Sequence, residues 1–136
     1  LEGWTGRLAA SWARGDDLAR DVPLNSVDPA SVIAEVGYTP ASARWGAQLV
    51  LTAVEARHDV DDTLMDLYET DGYVTLDLLA QVDLGRGLRL NAGLFNLTDV
   101  DYIEWADVRG RPVDDPLIPY YPRPGRNVSV TLHWQF

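Results

Sequence analysis

The sequence predicts an all-β chain: a set of antiparallel strands belonging to a transmembrane β-barrel. Three observations predict it. Six segments alternate apolar and polar residues, the connections between them alternate long and short, and the acidic residues concentrate in the long connections. A strand sends successive side chains to opposite faces, so strict alternation marks one greasy face and one wet face.

The pattern is clearest from Asn127 to Phe136. Val128, Val130, Leu132, Trp134 and Phe136 alternate with Asn127, Ser129, Thr131, His133 and Gln135. In water an apolar edge strand of this kind invites aggregation. In a membrane barrel the same face meets lipid, and terminal aromatics sit in an interfacial girdle.

Five earlier segments follow the same rule. The first, Gly3 to Ala13, places Trp4, Leu8, Ala10 and Trp12 on one face and Thr5, Arg7 and Ser11 on the other. The second, Ser31 to Thr39, sets Val32, Ala34, Val36 and Tyr38 against Ser31, Ile33, Glu35 and Gly37. The third, Arg44 to Ala56, directs Trp45, Ala47, Leu49, Leu51 and Ala53 outward. The fourth, Tyr73 to Leu84, sets Val74, Leu76, Leu78, Ala80 and Val82 against Thr75, Asp77, Gln81 and Asp83. The fifth, Leu88 to Asn96, sets Leu88, Leu90, Ala92 and Leu94 against Arg89, Asn91 and Gly93. Strands of about nine residues reach roughly 30 Å, the span a tilted membrane strand needs.

The connections run long (14–30), short (40–43), long (57–72), short (85–87) and very long (97–125). Outer-membrane barrels show this asymmetry, with long loops outside the cell and short turns at the periplasm. Tyr38, Trp45, Trp134 and Phe136 then share the periplasmic end, as an aromatic belt requires. Sixteen of the 21 acidic residues lie in the three long connections, and none occupies an outward position. Charge stays hydrated in a loop but is costly against hydrocarbon. The competing soluble fold, an up-and-down barrel or a β-sandwich, would turn the apolar alternates inward and has no need of the loop asymmetry.

Composition removes several functions. A net charge of −10 opposes binding to a nucleic-acid backbone. Without cysteine there is no disulfide, thiolate metal site or cysteine nucleophile. All eleven basic residues are arginine. No run of eighteen apolar residues marks a transmembrane helix, and no basic-then-apolar leader is visible. Bacterial single-chain membrane barrels begin at eight strands, so six are expected to be part of a larger barrel.

Particular motifs narrow the reading. Leu90-Asn91-Ala92-Gly93-Leu94-Phe95-Asn96-Leu97-Thr98-Asp99 with Tyr102, then Pro124-Gly125-Arg126-Asn127 opening a strand that ends in Phe136, resembles the closing segment of TonB-dependent outer-membrane receptors. Trp105-Ala106-Asp107-Val108-Arg109-Gly110 is similar to a loop segment of the haem and haemoglobin branch. Pro23-Leu24-Asn25-Ser26-Val27-Asp28-Pro29, with Gly37-Tyr38 and Arg44-Trp45-Gly46, resembles an upstream segment of that branch. The resemblance implies a 22-stranded plugged barrel in which residues 1–136 form the last six strands, without the plug and earlier strands. It implies a Gram-negative outer-membrane transporter for an iron compound, haem or haem from haemoglobin, energised through the TonB complex by way of the plug. Its partners would be the rest of the receptor, outer-membrane lipid, the barrel-assembly machinery and haem or a haem protein. Haem would be cargo rather than an intrinsic cofactor. A siderophore receptor and a passive porin-type channel are the alternatives.

Four side chains are candidate haem contacts, because imidazole and tyrosinate both ligate haem iron: His58, Tyr102, Tyr120 and Tyr121. The plainer reading is the stronger one: a lone histidine in an acidic surface loop is usually solvated, and the tyrosines fit girdle or loop-packing roles. His133 belongs to the lumen-facing set. Asp59, Asp61 and Asp62 offer oxygen ligands but lack the spacing and turn glycine of a calcium loop. The glycosylation-type triplets Asn96-Leu97-Thr98 and Asn127-Val128-Ser129 read as chance matches in a strand context. A hydrolase would need a nucleophile, base and orienter, and two histidines with no G-x-S-x-G segment supply none. Leu132, Trp134 and Phe136 resemble the C-terminal signal that directs barrels to membrane insertion. Deleting Phe136 from the full receptor is expected to lower its folded, heat-modifiable yield in the outer membrane. Undiminished yield on denaturing gels would show the signal to be dispensable.

Overall fold

The computed structural model describes residues 2–136. Six long strands form one antiparallel sheet: β1 (Trp4–Ser11), β4 (Ser31–Tyr38), β5 (Trp45–Val54), β6 (Tyr73–Gly85), β7 (Leu88–Phe95) and β8 (Asn127–Trp134). Each pairs only with its neighbours in that order, so the sheet is a meander. A two-residue pair, β2 (Asp16–Asp17) with β3 (Val22–Pro23), stands apart in the first long connection. All six expected strands are present. Several are shorter than expected, because β1, β4, β7 and β8 each have eight residues.

The register turns six separate alternations into one surface. Gly6 pairs with Val36, Val36 with Leu49, Leu49 with Leu78, Leu78 with Leu94, and Leu94 with Val128. The next row runs Trp4, Tyr38, Ala47, Ala80, Ala92, Val130. No charged residue enters either row. The opposite face carries Arg7 beside Glu35, Glu35 beside Val50, and Val50 beside Asp77. There Gln48 donates to Glu35 at 3.0 Å, and His133 lies opposite Arg89. A cavity of about 470 Å³ lies on this polar face, lined by Thr5, Gln48, Gln81, Asn91, Ser129 and Thr131 among others.

Nothing among the described residues covers the apolar face. Leu8 is 74 % exposed, and Val36, Leu49, Leu94, Val128, Val130 and Leu132 are exposed with it. A soluble sandwich would have buried this face against a second sheet. Among the described residues the buried hydrophobic side chains are Leu67, Trp105 and Val108, and all three lie in the long connections. The molecule therefore has its packed core at one end of the sheet, while the sheet itself keeps an outward apolar surface of the kind lipid solvates. Among the described residues, no helix is long and apolar enough to cross a membrane.

The short turns define the other end. Arg86 (φ 53°) and Gly87 (φ 75°) form a two-residue hairpin loop with both residues left-handed, which matches the twist of the flanking strands. Glycine is required at 87, because a Cβ there would lie 2.0 Å from the Gln135 carbonyl oxygen. Asp83 accepts from the Gly85 N–H at 2.8 Å across the bulge in β6. The expected aromatic belt assembles here and gains Trp4. The Tyr38 ring lies 5.0 Å from Trp4 and 5.5 Å from Trp45, and Trp134 lies 5.8 Å from Phe136.

Leu49 sits centrally in the apolar rows. In the protein refolded into lipid vesicles, Leu49→Arg is expected to cost about 2–4 kcal/mol in a denaturant titration. Val50→Arg, one residue along and between two carboxylates, is expected to cost clearly less. Equal losses would refute the assignment of faces.

Candidate functional site: a cap built from three connections

The three long connections do not hang as separate loops; they share one core. Trp105 is 3 % exposed and Val108 0 %, and both belong to a single helical turn, α1 (Trp105–Val108). Residues three apart share a helix face, so the pair buries together. Gly110 (φ 73°) follows the turn where a left-handed residue ends it, and the Arg109 N–H closes it on the Trp105 carbonyl at 2.9 Å.

Each neighbour is tied to this turn. The Trp105 indole N–H donates to the Asn25 carbonyl at 3.2 Å, joining the third connection to the first. Asn25 in turn mimics a strand partner for the second. Its Oδ1 accepts from Asp61 N–H at 2.7 Å and its Nδ2 donates to the Asp61 carbonyl at 3.1 Å. Arg57 donates to the Leu24 carbonyl at 3.1 Å, and its guanidinium lies 5.9 Å from the Trp105 ring centre. Ion pairs Arg20–Asp61 and Arg109–Asp28 cross between connections. The second and third also exchange backbone bonds, Tyr68 N–H to Arg111 at 2.9 Å and Val113 N–H to Asp66 at 3.0 Å.

A second knot anchors the third connection to the sheet. Asn96 is buried, and its amide fills its capacity. It donates to the Val100 and Pro124 carbonyls at 2.9 and 3.3 Å, and accepts from Val100 N–H and the Thr98 hydroxyl at 3.1 and 3.0 Å. Its own N–H donates to Asp77 of β6 at 2.8 Å. Asp99 accepts the Arg126 N–H at 2.8 Å, which brings the start of β8 to the end of β7. The left-handed φ of Asn96 and Asp99, 50° and 56°, suits these two residue types.

The four candidate ligands occupy different surroundings. His58 is exposed, and its Nδ1 lies 2.6 Å from Glu69 Oε2. Tyr102 stacks on Tyr73 with ring centres 4.0 Å apart. Burial first, and then the Glu104 carboxylate, pushes the Tyr102 phenol up from its ordinary value, which disfavours the tyrosinate an iron ion prefers. Tyr120 is 82 % exposed, and Tyr121 lies under Arg111, 4.8 Å from guanidinium to ring centre. No hydrogen bond or ring contact among the described residues joins His58 to any of these tyrosines. The described residues hold no group of three or more histidine and acidic side chains suited to a metal.

Sequence reading did not foresee the roles of Asn25, Asp28, Arg57, Leu67 or Val108. The signal was present in part: a tryptophan and a valine three apart, closed by Arg-Gly, inside a long polar connection.

Two carboxylates in the cap titrate in a way that links its cohesion to pH. Asp61 is held below its ordinary value, first by the Thr63 hydroxyl and then by the Thr63 N–H and Arg20. Asp115 is held down first by the Leu117 N–H and then by Arg111. A carboxyl depressed in the folded state contributes stability above its unfolded pKa and loses it as pH falls through the folded value. The cap is therefore expected to be intact at pH 5 and to loosen below about pH 4. Amide exchange across residues 20–28 and 59–70 should accelerate in that window, and Asp61→Asn should remove part of the pH dependence while speeding exchange at pH 5.

No family model matches the chain. Curated relatives do. The chain is 27 % identical over 139 residues to Hemoglobin-haptoglobin-binding protein A of Haemophilus influenzae, covering 85 % of this chain and 13 % of that protein. It is 26 % identical to Hemoglobin-haptoglobin utilization protein B of Neisseria meningitidis serogroup C, covering 86 % and 17 %. It is 28 % identical to Lactoferrin-binding protein A of Neisseria meningitidis serogroup A, covering 90 % and 15 %. The chain thus spans less than a fifth of the length of these relatives. Among solved structures, Copper transporter OprC superposes with a TM-score of 0.83 at 20 % identity, covering all of this chain and 22 % of that one. These relatives carry binding, utilisation and transport names. The six-stranded antiparallel sheet shares its fold with part of that solved structure.

Proposed function

We propose that this chain is the C-terminal part of the barrel of a TonB-dependent receptor in the outer membrane of a Gram-negative bacterium. The complete receptor would be a closed barrel of 22 strands with a plug. It would take up an iron compound, haem or haem from haemoglobin, with energy supplied through TonB. One observation carries the reading. The two segments that resemble the haem branch, residues 23–29 and 105–110, are tied to each other by Trp105–Asn25 and Arg109–Asp28 at the heart of the cap. Similarity to haemoglobin- and lactoferrin-binding proteins over most of the chain supports the same class of cargo.

The sheet's two outer strands support membership of a larger barrel. β1 and β8 each pair on one side only, and an unpaired backbone group in hydrocarbon costs several kcal/mol. Remaining strands would satisfy both edges, and Leu132, Trp134 and Phe136 would serve recognition by the barrel-assembly machinery. Within the cap, His58 is the candidate ligand whose chemistry fits best. Glu69 holds Nδ1, which leaves Nε2 for iron, and a carboxylate behind a ligating imidazole orients it and raises its basicity. Tyr102, Tyr120 and Tyr121 would contribute packing around a bound ligand.

A strain lacking the full gene should fail to grow with haemoglobin as sole iron source, and loss of TonB should give the same phenotype. In the purified receptor, His58→Ala should abolish the haem absorbance band, and Glu69→Gln should weaken haem affinity about tenfold. An unchanged band in His58→Ala would remove His58 from the ligand set. Normal growth on haemoglobin, with loss of growth on a ferric siderophore instead, would favour a siderophore receptor.

A further inference from the structure

We propose that Asn96 and Asp99 form a clasp that closes the third connection at its base, and that this clasp sets the rate at which the last strand, β8, joins the sheet. Every bond in the clasp joins residues of the chain itself, whatever cargo the receptor carries.

β7 and β8 face the hardest closure in the sheet. Residues 96–126 separate them, against residues 12–30 and 55–72 for the other two long connections. The entropy cost of bringing strand ends together rises with loop length, and pairing across a long loop is slow. β6 and β7 have no such difficulty, because Arg86 and Gly87 join them as a two-residue hairpin loop. The last pairing must also find one register. A slip of one residue would turn Val128, Val130 and Leu132 to the polar face.

The first half of the clasp is local. The Asn96 side chain bonds to the Val100 N–H and carbonyl at 3.1 and 2.9 Å, and the Asn96 carbonyl accepts the Asp99 N–H at 2.9 Å. These partners lie three or four residues from Asn96, so the turn closes without a long loop. It is seated on β6, where Asp77 accepts the Asn96 N–H and the Leu76 carbonyl accepts the Leu97 N–H, both at 2.8 Å. A β6–β7 hairpin therefore carries the turn ready-made.

The second half is what the turn holds. Asn96 Nδ2 donates to the Pro124 carbonyl at 3.3 Å, and Asp99 Oδ1 accepts the Arg126 N–H at 2.8 Å. The Arg126 guanidinium lies 3.7 Å from the same carboxylate. A Cβ on Gly125 would come within 3.1 Å of Asp99 Oδ1, so the chain approaches closely at a residue that has no side chain. One residue beyond Arg126, Asn127 is the register partner of Phe95, which immediately precedes Asn96. Capture of residues 124–126 thus starts β8 opposite the correct residue, and each later rung closes only a short additional loop. Farther out, the Arg123 N–H donates to the Tyr102 carbonyl at 2.9 Å, and the Arg123 guanidinium lies 2.8 Å from both Glu104 and Asp107. Trp105 and Val108 belong to the span above this base, so the cap's core orders after the sheet is closed.

The test is a pulse–chase measurement on the full-length receptor in its host, reading how fast the heat-modifiable folded form appears. Asn96→Ala should slow that appearance about tenfold, because contacts made in the transition state govern the folding rate. Val108→Ala, which empties the cap core, should leave the rate within about twofold while making the folded receptor easier to unfold. Phe95→Cys with Asn127→Cys, at paired backbone positions a disulfide can bridge, should restore the rate in the Asn96→Ala background. An unchanged rate in Asn96→Ala would overturn the proposal, and so would equal slowing by Val108→Ala or restoration by either cysteine alone. If Asn96→Ala yields no folded receptor, the cysteine pair should recover it. Failure of the pair to recover rate or yield would also overturn the proposal, leaving Asn96 as a stabiliser of the finished fold with no part in closure.

Discussion

Register is the constraint on which everything else in this chain depends. A strand's side chains repeat with period two, so a slip of one residue would turn an entire apolar set to the wrong face. Across five successive pairings the even positions of β1 and β4 meet the odd positions of β5 and then the even positions of β6, β7 and β8, with no break in the apolar surface. The irregularity between Asp83 and Gly85 falls at the turn end of β6, where it feeds the hairpin rather than the face. With the faces fixed, the long connections must all emerge at one end, and only then can they pack on one another.

That crowding explains why the molecule's buried core lies in its connections. On the proposed membrane reading, a sheet solvated by lipid on one side needs no second layer, and its stability would come from backbone pairing and from the surroundings. The connections face water and have to bury something to become ordered. Trp105 and Val108 supply the apolar centre, and Asn25 supplies the hydrogen bonds that neighbouring segments would otherwise find in water. Asn96 does the same at the root of the third connection, where every polar atom of its amide is matched.

The strands were legible because alternation is local and each segment carries its own evidence. Their ends were less so. Trp12 and Ala13 continue the pattern of β1, yet pairing stops at Ser11, because β4 begins opposite it at Ser31. The cap could not be read in advance for a different reason: the contacts that join its connections link residues some 33 to 81 positions apart, and nothing in the sequence around Asn25 announces Asp61 or Trp105. The motifs that pointed to a receptor family did contain Asn25 and Trp105, but as letters without a physical role. Leu18 and Leu64, exposed at the tips of the first two connections, escaped notice because they sit in polar surroundings with no periodicity to mark them.

The separation of the cap into a buried tie layer and exposed tips has an evolutionary consequence. Residues such as Asn25, Trp105, Val108 and Asn96 are locked by mutual contacts, so substitutions there must be matched by partners elsewhere. Leu18, Leu64 and Tyr120 stand outside that network and can vary with little effect on folding. A lineage can therefore explore new surface chemistry at the tips while inheriting the same scaffold beneath. Surface chemistry and foldability are free to diverge at different rates within a stretch of fewer than 140 residues.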